Sequence, residues 1–314
     1  MMMCDWRGTV DHKKASDALK SAKNIIDSGL SHLRSQEKPE ENQAFLYDLA
    51  HASSAHAIAE SFLDYADNGP KESQIVEIFC ADVLRSIATI SFGREQIWEL
   101  DNSDLEFVRA YVTSHGTPEL YAQNSQNQGT PNLNDDMALV AETFRRYGRD
   151  HIMNVAEEVH RQDLDVPESI ISGLADLGCF GLSIPVEYGG SATGSSQDMH
   201  AMVIATEELS RASLSIGGSL ITRPEILARA IENGGTEKQK KDFLPEIASG
   251  KSMSAVAVTE PDHGSDVASI TTTARKKGDG IWELNGVKTW CTFAGRADLL
   301  MVLARTNPDL SQAH

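Results

Sequence analysis

The residues best suited to chemistry gather late in the sequence, between Ser254 and Thr306. Val258-Thr259-Glu260-Pro261 sets a hydroxyl and several backbone N–H groups at the end of an apolar, β-rich run, Ser254 to Thr259. The proline stops that run because it has no N–H to donate to a ladder. Such a corner suits an anion or the electron-rich edge of a ring. Asp262-His263-Gly264-Ser265-Asp266 follows as a polar turn, in which Gly264-Ser265 offers close backbone approach and one more hydroxyl, the ingredients of an anion nest. Trp290 and Thr292 lie two apart, so on a strand they share a face and put an indole wall beside a hydroxyl donor. Together these groups suit a flat, polar-edged heterocycle carrying phosphates. The alternative is a sheet core in which Trp290 only packs and Thr-Glu-Pro only turns a corner.

The elements that must position these residues are legible as patterns. Lys277-Gly278-Asp279-Gly280 and Asn285-Gly286 are tight-turn signals, Asn-Gly being the stronger hairpin mark. They delimit three further strands, Ile281 to Leu284, Val287 to Phe293 and Leu299 to Ala304, and so predict an antiparallel sheet. Upstream, Ala15, Ala18, Leu19, Ala22, Ile25 and Ile26 recur at three- and four-residue steps, one stripe on a helix from Lys13 to Arg34. Pro39 opens a second helix that ends at Asn68-Gly69, with Gly69 as a left-handed stop. A third is predicted from Lys71 to Leu100, and the capping-box spacing of Ser103-Asp104-Leu105-Glu106 starts a fourth. Four amphipathic helices with short connections predict an antiparallel bundle. This bundle carries no nucleophile, acid–base pair or phosphate loop and reads as a docking or assembly unit. Its His51 and His56 are five apart, which points them away from one another and away from a shared metal.

His115 to Asn134 is polar, aperiodic and rich in Gly, Pro, Asn and Gln, the best boundary in the chain. Beyond it, helices are predicted from Asp135 toward His160, from Val166-Pro167 through Leu177, and over Ser196 to Ala212, Arg223 to Glu232 and Glu237 to Ser249. The expected organisation is a helical extension over 1–115, a linker over 116–134, a helical domain over 135–252 and the beginning of a β domain over 253–314. The fold class is therefore α+β and multidomain.

Thr259-Glu260-Pro261-Asp262-His263-Gly264-Ser265-Asp266, followed by Asn285-Gly286-Val287-Lys288-Thr289-Trp290-Cys291-Thr292, resembles the paired signature of the acyl-CoA dehydrogenase family. The resemblance implies FAD as cofactor, with Val256, Val258, Thr259, Gly264 and Ser265 touching FAD or substrate. Trp290, Cys291 and Thr292 would line the isoalloxazine, the threonine hydroxyl at flavin N5. Asp262-His263 departs from the smaller pair common at that point. The implied fold is a helical domain packed beside an antiparallel sheet or barrel.

The implied reaction is removal of an α-proton by a carboxylate with transfer of the β-hydride to the flavin, and electrons leaving through an electron-transfer flavoprotein. In the family the base is a glutamate of a C-terminal helical domain, so none is assigned within these residues and the chain is expected to be an amino-terminal portion. The other reading is a non-catalytic flavin- or acyl-CoA-binding or assembly module of natural length. The last strand, Leu299 to Ala304, is expected to lack partners, which favours the first reading. Ser210-Arg211-Ala212-Ser213 with Gly218-Ser219-Leu220 is similar to a segment of glutaryl-CoA dehydrogenases that sets an arginine near the far carboxylate of the substrate. Arg211 is the candidate and Arg223 the second, since a carboxylate in an apolar pocket needs a charge-assisted partner. The alternative for Arg211 is a surface pair with Glu207 or Glu208. A short branched dicarboxylic acyl-CoA, such as methylsuccinyl-CoA giving mesaconyl-CoA, is the implied substrate, and a homo-oligomer the implied assembly.

Composition sets the outer bounds. At 314 residues, with 40% hydrophobic content, the chain has ample material for packed cores. A net charge of −18 argues against nucleic acid and anionic membrane surfaces as partners. Cys4, Cys80, Cys179 and Cys291 stand far apart, which indicates neither a disulfide framework nor a zinc site and fits a reducing, cytoplasmic setting. No run approaches the roughly 18 apolar residues that a membrane span requires.

Overall fold

The computed structural model describes residues 12–307 together with Asp309 and Gln312; Cys4 lies outside these residues. The chain divides between Asn132 and Leu133 into two compact units.

The first unit is helical. Helices α1 (His12–Ser35), α2 (Gln43–Phe62), α3 (Pro70–Ser91) and α4 (Asn102–His115) surround one apolar core. The stripe on α1 is buried as its spacing requires, from Ala15 through Ile26 to Leu33. Trp98 is fully buried and meets Phe45 edge to face at 5.0 Å. That contact explains why the third helix is shorter than its sequence pattern: after Ser91 the chain leaves the helix, so that Trp98 can turn inward. Gly69 is not a left-handed stop but adopts φ 153, ψ −179, extended backbone reserved for glycine, and α3 follows with Pro70 in its first turn. The fourth helix is capped by Asp101, which accepts from the Ser103 N–H, two residues ahead of the predicted cap. His56 is buried and donates from Nε2 to the Leu19 carbonyl at 2.9 Å, a structural role.

The polar segment after α4 is more ordered than its composition suggests. It contains a short helix, α5 (Pro118–Asn124), and its end is fastened to α3. The Thr130 N–H donates to Glu72, the Tyr65 hydroxyl donates to the Thr130 carbonyl, and Asn127 donates to the Lys71 carbonyl.

The second unit opens with α6 (Asp135–Tyr147), capped by Asn134, and runs through one π turn into α7 (Met153–Arg161). Next come α8 (Glu168–Asp176), α9 (Ser196–Ala212), α10 (Ser219–Gly234) and α11 (Glu237–Ala248). Capping boxes start α9 at Ser195/Asp198 and α11 at Thr236/Gln239. Helix α10 begins at Ser219, earlier than predicted, because Pro224 is buried inside it and does not open it.

Among the described residues four strands follow: β1 (Ser254–Ala257), β2 (Thr273–Gly278), β3 (Ile281–Asn285) and β4 (Leu299–Val302). They correct the predicted sheet in two ways. Only β2 and β3 form an antiparallel hairpin, turning at Asp279-Gly280, whereas β1 pairs with β4 in parallel, Ser254 opposite Leu299 and Ala257 opposite Val302. The last strand therefore has a partner along one edge. Val287–Phe293 is no strand at all, and Asn285-Gly286 is no hairpin. Gly286 instead takes φ 155 where a side chain would meet Thr272, its Cβ falling 2.3 Å from Thr272 Oγ1. No helix among the described residues is long and apolar enough to cross a membrane.

Candidate functional site

The predicted site residues fall on two segments that the fold draws together, the corner after β1 and the irregular segment between β3 and β4. Thr289 donates its backbone N–H to the Thr259 carbonyl at 2.9 Å. Lys288 donates from Nζ to the Val258 carbonyl at 2.7 Å and to Glu260 Oε1 at 3.0 Å. Glu260 also accepts from the Thr271 N–H and hydroxyl and from the Thr272 N–H. Burial by itself would raise the pKa of this carboxyl; the bonds from Thr272 and Thr271 outweigh it and hold Glu260 ionised far below the usual carboxylate range. Sequence reading treated Glu260 and Lys288 only as parts of motifs; the structure makes them a buried ion pair, with side-chain exposures of 2% and 9%.

Trp290 and Thr292 reach the site by a route other than strand alternation. Trp290 has φ +58 and Phe293 φ +65, left-handed backbone unusual for such side chains, and the Thr292 N–H bonds back to the Trp290 carbonyl. A tight turn results. Its indole is 86% exposed, a free aromatic face. Phe293 packs into the helical core of the same unit, and Cys291 is half-buried with its Sγ toward the Thr289 carbonyl.

Gly264 and Ser265 are exposed in the turn that the mutual backbone bonds of Glu260 and His263 start, and space is open where a Gly264 side chain would stand. Neither their N–H groups nor the Ser265 hydroxyl has an intramolecular partner among the described residues. Free backbone donors of this kind suit a phosphate. Val256 lies within β1 opposite Met301, with Val258 just beyond the strand.

The two arginines separate. Arg211 pairs with the buried Glu208, Nε to Oε2 at 3.4 Å, a carboxylate that Arg145 also grips in bidentate fashion. Arg223, half-buried on α10, donates to the Thr292 hydroxyl at 3.3 Å and to Thr222 at 3.5 Å and has no carboxylate partner among the described residues. The structure thus brings the second candidate, and not the first, to the predicted flavin-facing hydroxyl. No group of three or more potential metal ligands occurs among the described residues.

The chain belongs to the acyl-CoA dehydrogenase family: the N-terminal domain of acyl-CoA dehydrogenases matches residues 134–251 and the middle domain residues 255–314. Homologues in this family bind FAD. Among individual relatives, the chain is 37% identical over 211 residues to (2S)-methylsuccinyl-CoA dehydrogenase of Cereibacter sphaeroides, a match covering 64% of this chain and 37% of that protein. The structure of a glutaryl-coenzyme A dehydrogenase glutaryl-CoA complex superposes with a TM-score of 0.52 at 34% identity, over 57% of this chain and 44% of the other. A glutaryl-CoA dehydrogenase from Mycobacterium smegmatis in complex with FADH2 gives 0.50 at 28% identity, over 56% and 44%. The chain spans less than half the length of these relatives, 37% to 44%.

Proposed function

We propose that the chain supplies the flavin corner of an FAD-dependent acyl-CoA dehydrogenase acting on a short branched dicarboxylic acyl-CoA, with methylsuccinyl-CoA oxidised to mesaconyl-CoA. The observation that carries this reading is the tie between Thr259 and Thr289, which sets the Thr-Glu-Pro corner against the Trp290–Thr292 turn. When bound, FAD supplies the acceptor for the β-hydride that departs as the α-proton is removed. The residues of this chain hold and orient. Trp290 offers its face to the ring and Thr292 its hydroxyl to the ring edge. Gly264 and Ser265 present N–H groups to a phosphate or to the thioester arm. An electron-transfer flavoprotein is the proposed acceptor of the electrons, and a homo-oligomer the proposed assembly.

The dicarboxylic preference rests on Arg223. A half-buried guanidinium whose partners are hydroxyls alone is an open position for a carboxylate, which would offer it two parallel acceptors. Arg211 is already engaged. In the complete gene product, anaerobic addition of methylsuccinyl-CoA should bleach the flavin bands. Bleaching by butyryl-CoA with methylsuccinyl-CoA ignored would overturn the substrate, and a colourless protein that takes up no FAD would overturn the class. Arg223→Met should raise KM for the dicarboxylic substrate by about tenfold or more, the worth of one charge-assisted contact, and favour a monocarboxylic analogue by comparison.

A further inference from the structure

The turn that carries Trp290 and Thr292 has no ladder to hold it. Two of its residues, Trp290 and Phe293, sit in the left-handed region, a conformation that persists only where the surroundings over-determine it. Phe293 is secured by packing. The other end of the turn is secured by Lys288, whose ammonium is almost entirely out of water and bonds both the Val258 carbonyl and Glu260. Glu260 in turn gathers donors from Thr271 and Thr272, so a single carboxylate joins the corner, the entry to β2 and the turn. A pair this deep adds little net stability over a well-packed apolar replacement, and its worth lies in fixing geometry.

Building on the flavin reading above, we propose that Glu260 and Lys288 are positioning residues. The pair sets the distance between the Thr259 corner and the Trp290–Thr292 turn, and so determines how tightly and in what environment the isoalloxazine is held. Neither side chain touches the ring. The proposal accounts for a lysine whose amine is buried two residues before an indole left in solvent.

The test uses the 314-residue chain. Lys288→Met and Lys288→Arg are titrated with FAD, with flavin fluorescence and the flavin absorption bands as readouts and circular dichroism as the control for folding. Lys288→Met should weaken FAD binding at least tenfold and shift the bound flavin spectrum, and Lys288→Arg should recover part of both. A folded Lys288→Met that binds FAD within twofold of the parent, with an unchanged spectrum, overturns the proposal. Should Lys288→Met not fold, Glu260→Gln takes its place with the same thresholds.

If the 314-residue chain itself takes up no FAD, the flavin reading is judged on the complete gene product as above, and hydrogen exchange on this chain decides the clamp. The substitution should then speed exchange of the Thr289 amide at least tenfold while α9 and α10 are unaffected. Unchanged exchange at Thr289 overturns it.

Discussion

Trp290 combines two costs that a merely structural residue would avoid, a left-handed backbone and an indole left in solvent. Trp290→Gly removes both, so it should leave the stability of the unliganded chain within about 1 kcal/mol of the parent, relief of strain offsetting the extra freedom of glycine when unfolded. The same change should strip away most FAD binding. Thermal melts beside a flavin titration would show the two effects separating. Glu260 gives a pH signature. Because its folded-state pKa is depressed, its stabilisation is complete above the unfolded value of about 4.3 and fades as pH falls below it. The stability gap between the parent and Glu260→Gln, read from urea unfolding, should be constant from pH 7 to 5 and shrink toward pH 3. Cysteines offer a third readout. Burial pushes the Cys80 thiol up to about 12 and raises Cys179 as well, so among the described residues Cys291 should alkylate first, and bound FAD should slow it.

At the scale of elements, Gly286 is the position where a single methyl group does most damage near the site. Alanine there would drive Cβ against the Thr272 hydroxyl and Cα, and its φ of 155 is hostile to any side chain. Gly286→Ala should cost about 2–3 kcal/mol in chemical unfolding and loosen the corner with it. The same glycine shows where sequence reading stops. Helices were legible because burial imposes its period directly on the residues, and Ser196–Ala212 has the bounds expected of it. Asn285-Gly286 looks like a hairpin, since that dipeptide serves tight turns, but here the glycine is spent on close approach to Thr272. Val287 to Phe293 alternates like a strand, yet what shapes it is a buried amine and a packed ring, contacts that arrive from residues far along the chain. Parallel pairing of β1 with β4 leaves no local mark either. The chemistry-bearing types at the corner and the indole were readable. The partnership of Glu260 with Lys288, and the contact of Arg223 with the Thr292 hydroxyl, required the fold.

Taken as a whole, the molecule consists of two units with separate cores, divided between Asn132 and Leu133. The first carries its own helices and its own closing strap, in which Thr130 is bound by Glu72 and Tyr65. Residues 12–132 expressed alone should therefore give a cooperative, helical melt, and a disordered circular dichroism spectrum would count against that independence. The parallel ladder of the second unit bears on how the protein is born. Ser254 leaves the ribosome long before Leu299, and the whole β2–β3 excursion must emerge before β1 can find its neighbour. During synthesis the β1–β4 ladder stays unclosed until Leu303 has cleared the exit tunnel and given its N–H to Ala257. Pauses in translation within that interval would leave a nascent chain with finished helices and β1 still without its neighbour.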